Sequence, residues 1–358
     1  MSEFQRPIEL LKGRGAASRI PSRFDAELRT GWDDGWAQEE GAAPLPATTV
    51  RLEDCRSAIA SNDSPDIHFD QSVNPYRGCE HGCIYCYARS THSYLDLSPG
   101  LDFETRLVAK RNIAQVLQRE LSRPGYRPSL INIGSATDCY QPIEREYRLT
   151  RAGIEVLARH RHPFSLVTKS SGVERDLDLI APMAQQGLAA VYITITTLDR
   201  ALLRRLEPRA AAPERRLRTI RTLVEAGVPV GVSLAPHIPF VTDDMEQVLE
   251  AAQQAGARSA FYHVLRLPWE VSPLFRQWLE LHHPQRAARV MARVQEMRGG
   301  KDYDSRFGSR FKGEGVWADL LRQRFAKACA RWGLNRERLE LDLTKFRPVV
   351  QEGQGELF

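Results

Sequence analysis

The stretch Asn74-Pro75-Tyr76-Arg77-Gly78-Cys79-Glu80-His81-Gly82-Cys83-Ile84-Tyr85-Cys86-Tyr87-Ala88 sets three thiols in one short loop, spaced C-x3-C-x2-C. Half of the six cysteines of the chain are spent there. Thiolates are soft ligands for iron–sulfur clusters or zinc, and they must be brought close together and deprotonated. Gly78 and Gly82 let the backbone fold tightly beside them without a side-chain clash. A four-iron cube takes four cysteines; a loop that supplies three leaves one iron with an open coordination site, where a cofactor can bind. Zinc sites usually show two ligand pairs separated by a dozen or more residues, and no second pair follows here. His81 or His92 as a fourth ligand keeps zinc open, whereas a disulfide does not suit a chain without a secretion signal.

Three cysteines at this spacing, with the aromatic Tyr85 directly before the third, resemble the signature of the radical S-adenosylmethionine (radical SAM) superfamily. The resemblance implies that Cys79, Cys83 and Cys86 hold a [4Fe–4S] cluster. Its open iron would chelate the amino and carboxylate groups of SAM. An electron from the reduced cluster would then cleave the sulfonium C–S bond and give a 5′-deoxyadenosyl radical. By the same pattern the backbone beside Tyr85 faces the adenine.

The 358 residues suffice for one large α/β domain with appendages or for two ordinary domains, and 42% hydrophobic content supports a sizeable core. Met1 to Arg14 has no apolar segment of signal-peptide length, and no run approaches the roughly 18 apolar residues of a membrane span. The expectation is a cytoplasmic protein with no membrane association. A net charge of +5 and a pI near 8.9 suit an anionic substrate such as nucleic acid without demanding one.

Residues 1–65 mix Gly, Pro, Ala, Ser and charge without sustained periodicity and read as an irregular N-terminal arm, docked in part through Trp32 and Trp36. Cys55 reads as a packed thiol rather than a fourth ligand. Strands are expected near 67–73, 130–134, 164–169, 191–196, 228–234 and 259–265, alternating with helices at 103–119, 150–159 (N-capped by Thr150), 176–186, 213–226 and 244–255. Such alternation argues for parallel βα units. It allows a doubly wound sheet; the resemblance selects an α/β fold with a partial (β/α)6 TIM-type barrel over 66–272. Residues 273–358 read as a helical, basic C-terminal extension.

In barrels of this kind the chemistry sits at the carboxyl ends of the strands. After the second strand, Gly134-Ser135-Ala136-Thr137-Asp138-Cys139 offers small residues and the Thr137 hydroxyl to a ligand's ammonium group; a tight turn capped by Asp138 is the alternative. The position is similar to the family's methionine-binding element, so Ser135 and Thr137 are cofactor candidates. Lys169, followed by Ser170, is the candidate for the SAM carboxylate, since a buried ammonium requires an anionic partner. A rim lysine paired with Glu174 or Asp176 is the alternative. Thr194 and Thr196 share one face of the fourth strand and could meet ribose hydroxyls or simply form strand. Arg205-Leu206-Glu207-Pro208-Arg209 reads as a charged surface loop. Ser233 lies where the family places the adenine, and His237 reads as a hydrogen-bonded loop histidine or a titrating one. Residues 298–313 interleave basic and aromatic residues, suiting either phosphate and base contacts or a loop over the open barrel.

Asn74-Pro75-Tyr76-Arg77-Gly78-Cys79, Ala136-Thr137-Asp138, Thr168-Lys169-Ser170 and Arg175-Asp176-Leu177-Asp178 resemble the branch related to spore photoproduct lyase. That branch implies hydrogen abstraction with DNA or RNA as a substrate and an electron donor of flavodoxin or ferredoxin type. The lyase returns a hydrogen atom from a cysteine ahead of the Asp. Here Ser135 and Ala136 stand in that neighbourhood, and Cys139, on the far side of Asp138, is the catalytic candidate. A radical enzyme acting on a protein or small molecule, and a non-catalytic zinc-bearing nucleic-acid-binding module, are the competing expectations.

Overall fold

The computed structural model describes residues 11–25 and 47–349; Trp32 and Trp36 lie outside them. The strands, in chain order, are β1 (Thr49–Glu53), β2 (Ile59–Ser61), β3 (Gln71–Val73), β4 (Tyr76–Arg77), β5 (Arg106–Lys110), β6 (Ile131–Ile133), β7 (Phe164–Thr168), β8 (Ala189–Thr194), β9 (Val230–His237) and β10 (Ser259–Val264). Six of them, β3, β6, β7, β8, β9 and β10, pair side by side and parallel in that order, and β2 closes the β3 edge antiparallel. β2 and β10 remain as edges, so the barrel is partial. Each crossover carries helix, as parallel pairing requires.

The packing follows from the apolar stripes. Helix Ile113–Leu121 buries Ile113, Val116, Leu117 and Leu121, one face at helical spacing. Phe164 and Leu166 on β7 and Val191 and Ile193 on β8 share one face of the sheet, all inaccessible to solvent, and Ser165, Ala190 and Thr194 on the other face are buried as well. Parallel sheets covered on both faces are buried in this way.

Three expectations need correction. Residues 47–65 are not irregular, because β1 runs parallel to β5 over five residues and β4 joins β5 from the other side, forming a second sheet. The single helix expected over 103–119 is therefore a short helix (Asp102–Thr105), strand β5 and a second helix from Ile113. A pairing with a strand far back in the chain overrides the local helical periodicity. Thr150 is not an N-cap: its hydroxyl donates to the Cys139 carbonyl at 2.6 Å, and the Glu144 carboxylate accepts from the Thr150 and Arg151 amides instead.

The C-terminal part holds helices Val271–His282, Pro284–Glu296 and Gly315–Trp332. Its 298–313 loop covers the open edge, where the Phe311 carbonyl accepts from the Val264 amide of β10 at 2.8 Å and the buried Arg298 guanidinium donates to the Leu265 carbonyl at 2.8 Å. Residues 342–349 cross the opposite end of the barrel, where Phe346 packs on Tyr126, His160 and His162. Among the described residues no helix is long and apolar enough to cross a membrane.

Candidate functional site

The cysteine loop leaves the carboxyl end of β3 and turns on glycines with left-handed backbones, Gly78 (φ +77°) and Gly82 (φ +67°). A Cβ on Gly78 would sit 2.8 Å from the Phe103 carbonyl oxygen, and one on Gly82 would sit 2.7 Å from the Glu104 carboxylate. No side chain fits at either point. Beneath the loop the fully buried Arg89 donates to the Gly82, Cys83, Pro99 and Gly100 carbonyls and pairs with the equally buried Glu104. The loop's carbonyls thus have a fixed partner, and its sulfurs are left for a ligand.

All three loop cysteines are free thiols. Burial pushes the Cys83 and Cys86 thiols up, so both stay protonated unless a cation draws the proton off. Among the described residues no three His, Cys, Asp or Glu side chains converge as a single ion requires. Tetrahedral zinc needs that convergence, whereas in an iron–sulfur cube each cysteine binds its own iron. The donor set fits the cluster. Of the two histidines considered for zinc, His92 is engaged, its Nε2 2.9 Å from the Arg106 carbonyl, and His81 stands against Cys79 with its Nδ1 3.2 Å from Asp138. The His81 ring N–H is not aimed at that carboxylate, so the contact is an ion pair rather than a hydrogen bond. Burial opposes the charge on His81, but Asp138 and Cys79 overcome it and lift the imidazole to about 10. Asp138 in turn accepts from the Thr168 hydroxyl (2.6 Å) and from the Lys169 (2.8 Å) and Tyr140 (2.9 Å) amides. It ties the second and third strand ends to the cysteine loop.

A second network centres on Glu207, which is fully buried rather than part of a charged surface loop. Its carboxylate accepts from the Tyr85 hydroxyl, from the Thr196 hydroxyl at 2.9 Å and from Arg216, whose guanidinium also donates to the Thr194 carbonyl at 2.8 Å. Lys169 reaches over the Tyr85 ring, its Nζ 5.9 Å from the centroid. Burial pulls the Lys169 ammonium down, but Cys83 and Glu207 outweigh it and hold it above the ordinary lysine value. The rim pairing is corrected, since Glu174 pairs with Arg215 and Asp176 with Arg175 and Arg151. Tyr85, Lys169 and Thr196 therefore gather around Glu207 near Cys83, with the Thr194 backbone tied in through Arg216.

The other sequence candidates do not join that group. Ser135 accepts from the Asn74 amide at 3.1 Å, and its carbonyl takes the Tyr87 hydroxyl. The Thr137 hydroxyl donates to the Gly78 carbonyl at 2.8 Å and so braces the cysteine loop. Ser170 caps a 3-10 turn by accepting from the Gly172 amide; Ser233, by contrast, is buried on β9 as the register partner of Thr194 and lies beside it. Cys139 is fully buried in the main core, its sulfur 4.0 Å from the Val167 carbonyl oxygen.

The reading missed Glu207 and Arg216. Arg216 shares the buried stripe of helix Pro213–Glu225 with Ile220 and Leu223, and an arginine at i of an i, i+4, i+7 apolar stripe was the available signal. The basic and aromatic residues of 298–313 form one end of a ladder of alternating rings and guanidinium groups along the mouth, whose other members, Arg23, Phe24, Tyr87, Tyr94, Arg266 and Trp269, come from elsewhere in the chain. Arg23 lies over Phe24, Tyr94 and Trp269 at 4.6, 5.0 and 4.6 Å; Trp269 neighbours Tyr303; Arg266 lies over Tyr87 at 5.0 Å and Phe311 at 4.6 Å; Arg310 lies over Phe307 at 4.6 Å. Trp269 is 60% and Tyr87 44% exposed.

Comparison with known proteins agrees with this construction. An uncharacterised protein of Mycobacterium tuberculosis is 39% identical over 241 residues, 66% of this chain and 70% of its own length. An uncharacterised protein of Methanocaldococcus jannaschii is 27% identical over 213 residues, 60% of this chain and 76% of its own. Among solved structures, spore photoproduct lyase complexed with dinucleoside spore photoproduct superposes with a TM-score of 0.57 at 16% identity over 80% of each chain, a likeness of fold. Residues 73–252, half of the chain and the span that carries the cysteine loop, Asp138, Lys169 and Glu207, match the family described as the Radical SAM superfamily, and the chain belongs to it.

Proposed function

We propose that this radical SAM enzyme cleaves S-adenosylmethionine reductively and uses the resulting 5′-deoxyadenosyl radical to abstract hydrogen from a single-stranded nucleic acid. The family implies the [4Fe–4S] cluster and SAM, and Cys79, Cys83 and Cys86 would hold the first. When bound, the cluster supplies the electron that breaks the sulfonium bond. The chain's own residues do the positioning. Lys169, its charge favoured by its neighbours, offers an ammonium to the SAM carboxylate beside Cys83. Glu207, kept ionised against burial by Arg216 and Lys169, fixes the Tyr85 ring and the Thr196 hydroxyl around the space a nucleoside would enter. The Glu207 carboxylate is fully engaged by Tyr85, Thr196 and Arg216, which holds these groups in one geometry.

The single observation that carries the substrate reading is Tyr87. It follows the last cluster cysteine directly, and its exposed ring supports Arg266, which forms no ion pair among the described residues, whereas Arg23 pairs with Glu270 and Arg310 with Asp66. The ring-and-guanidinium ladder therefore begins one residue from the cluster. Exposed aromatic faces take stacked bases, and unpaired guanidinium groups take phosphates. Spore photoproduct lyase, which shares the fold, has been solved with a dinucleoside photoproduct, and that supports the reading. Cys139 is given no part, because its sulfur is in the core. The test is binding of fluorescent single-stranded and duplex oligonucleotides over a salt series. Tighter single-strand binding, weakened about 10-fold or more in Arg266→Ala, is the expected result. Equal indifference of wild type and variant would assign the mouth to a protein or small-molecule substrate.

A further inference from the structure

A column of rings leads from the inner face of the barrel to its mouth. Along β10, Tyr262 turns outward onto Phe325 of helix Gly315–Trp332, so Phe261 and His263, on the opposite face of the strand, turn inward. Tyr192 of β8 reaches them across β9 because its register partner there is a glycine: a Cβ on Gly231 would fall 2.4 Å from the Tyr192 ring. Between ring centroids, Tyr192 lies 5.4 Å from Phe261, Phe261 5.2 Å from His263, and His263 4.3 Å from Phe311 of the loop that covers the open edge. Phe311 carries Arg266, which in turn lies over Tyr87 beside the last cysteine of the loop. Tyr192, Phe261, His263 and Phe311 are all half-buried, so part of each ring stays open.

His263 is the polar member of the column. Phe261 and Phe311 fix its ring, yet its nitrogens hydrogen-bond to nothing among the described residues, whereas those of His92 and His162 are engaged. Burial, and after it the Lys312, Arg266 and Arg310 charges, hold the imidazole at about 3, so near neutral pH it is uncharged and offers one donor and one acceptor. Two of those cations are committed elsewhere: Arg310 pairs with Asp66, and Lys312 donates to the Tyr262 carbonyl at 3.2 Å. Arg266 has no carboxylate, and its Nε is buried without a partner. A polar group held in place and left unpaired is costly until a ligand supplies what it lacks.

Rings alone would take any flat or apolar ligand. A neutral hydrogen-bonding edge among them, with a guanidinium at the entrance, suits a group that is flat, polar along its edge and attached to a phosphate. We infer that the inner face between Tyr192 and Phe311 receives one unstacked nucleobase whose edge His263 reads, while Arg266 holds the phosphate at the entrance. The inference rests on the nucleic-acid reading above and adds where the base goes and which side chain tells bases apart. Enzymes that act on a base inside a strand turn it out of the stack into such a pocket, gripping it by aromatic contact and by hydrogen bonds to its edge.

The probe is a fluorescent DNA single strand carrying one base (A, C, G or T) between abasic spacers, so that only this base can enter. Anisotropy titrations with the full chain give Kd for each strand. Wild type should bind its best base about fivefold or more tighter than its worst, the value of one hydrogen bond. His263→Phe keeps a ring on Phe311 and should compress the spread to within about twofold by weakening the best base. His263→Gln, which keeps a donor and an acceptor on a longer side chain, should change the order of the bases, and it carries the test if the Phe variant fails to fold. A spread that survives both substitutions overturns the inference, as does an equal loss for every base, which is what a packing role alone would give. Wild type that binds the strands without preference also overturns it and leaves the nucleic-acid reading intact. Wild type that holds none of the strands at low salt sinks that reading and the inference with it.

Discussion

The two ends of the barrel are stabilised by different means. At the carboxyl ends of the strands, charges are buried and paired: Arg89 with Glu104, Arg216 with Glu207, Arg175 with Glu144 and Asp176. At the amino ends, rings and neutral histidines do the packing. Tyr126 hydroxyl reaches Gln71 at 2.6 Å and His162 at 2.9 Å, and Phe346 closes over them. Buried ion pairs contribute little net stability and hold groups in a fixed geometry, whereas ring packing stabilises directly. The mouth is organised for chemistry and the base for holding together, as in barrels generally.

The comparison is broken most severely at the cysteines. Replacing any one of Cys79, Cys83 or Cys86 by Ala should abolish cluster incorporation and SAM cleavage, read by iron content and visible absorbance, while the apo fold persists because the base is untouched. Retention of a full cluster in any of the three would remove that cysteine from the ligand set. Next comes Arg216→Met, which strands Glu207 without its guanidinium and should cost about 3–5 kcal/mol in chemical denaturation. Adding Glu207→Gln should restore part of that loss, and an uncoupled pair of effects would contradict the buried-pair account.

At the base the expected signature is in pH. Burial holds His162 down at about 4, below the 6.5 of an unfolded histidine. The unfolded chain therefore takes the proton first, so the stability is complete above pH 6.5 and is lost as pH falls towards 4. This is worth roughly 3 kcal/mol at most. His237, also held at about 4, shares the window. His162→Gln should flatten the acid limb of a stability–pH curve by one proton's share; an unaltered slope would place the titration elsewhere.

Legibility from sequence divides along similar lines. The six parallel strands and their helices were legible because apolar spacing within each segment reports the face that is buried. The second sheet was not, since β1 and β5 are strands only by virtue of each other. In the site, the cysteine loop and Lys169 could be read because spacing and position at a strand end carry them. Glu207 could not, because its burial depends on Arg216 folding back from a helix that has not yet been placed. Two residues of the motifs that carried the resemblance brace the scaffold: Tyr76 donates to Glu144, and Asp176 accepts from Tyr140 at 2.9 Å.

Smaller effects sharpen the mouth. Lys169→Met should weaken SAM binding about 10- to 100-fold by equilibrium dialysis, with Lys169→Arg in between, as expected for one charge-assisted hydrogen bond. No change would return the SAM carboxylate to another partner. Smallest of all is Cys139→Ala, whose product spectrum by mass spectrometry should match that of the wild type; a changed spectrum would bring the core thiol back into the mechanism.

The most direct measurement is anaerobic reconstitution with iron and sulfide, followed by incubation with SAM and dithionite and chromatographic assay of nucleosides. The account predicts about four irons per chain and the release of 5′-deoxyadenosine with methionine. A protein that instead fills with zinc, or that carries its cluster and yet leaves SAM intact under reduction, would contradict it.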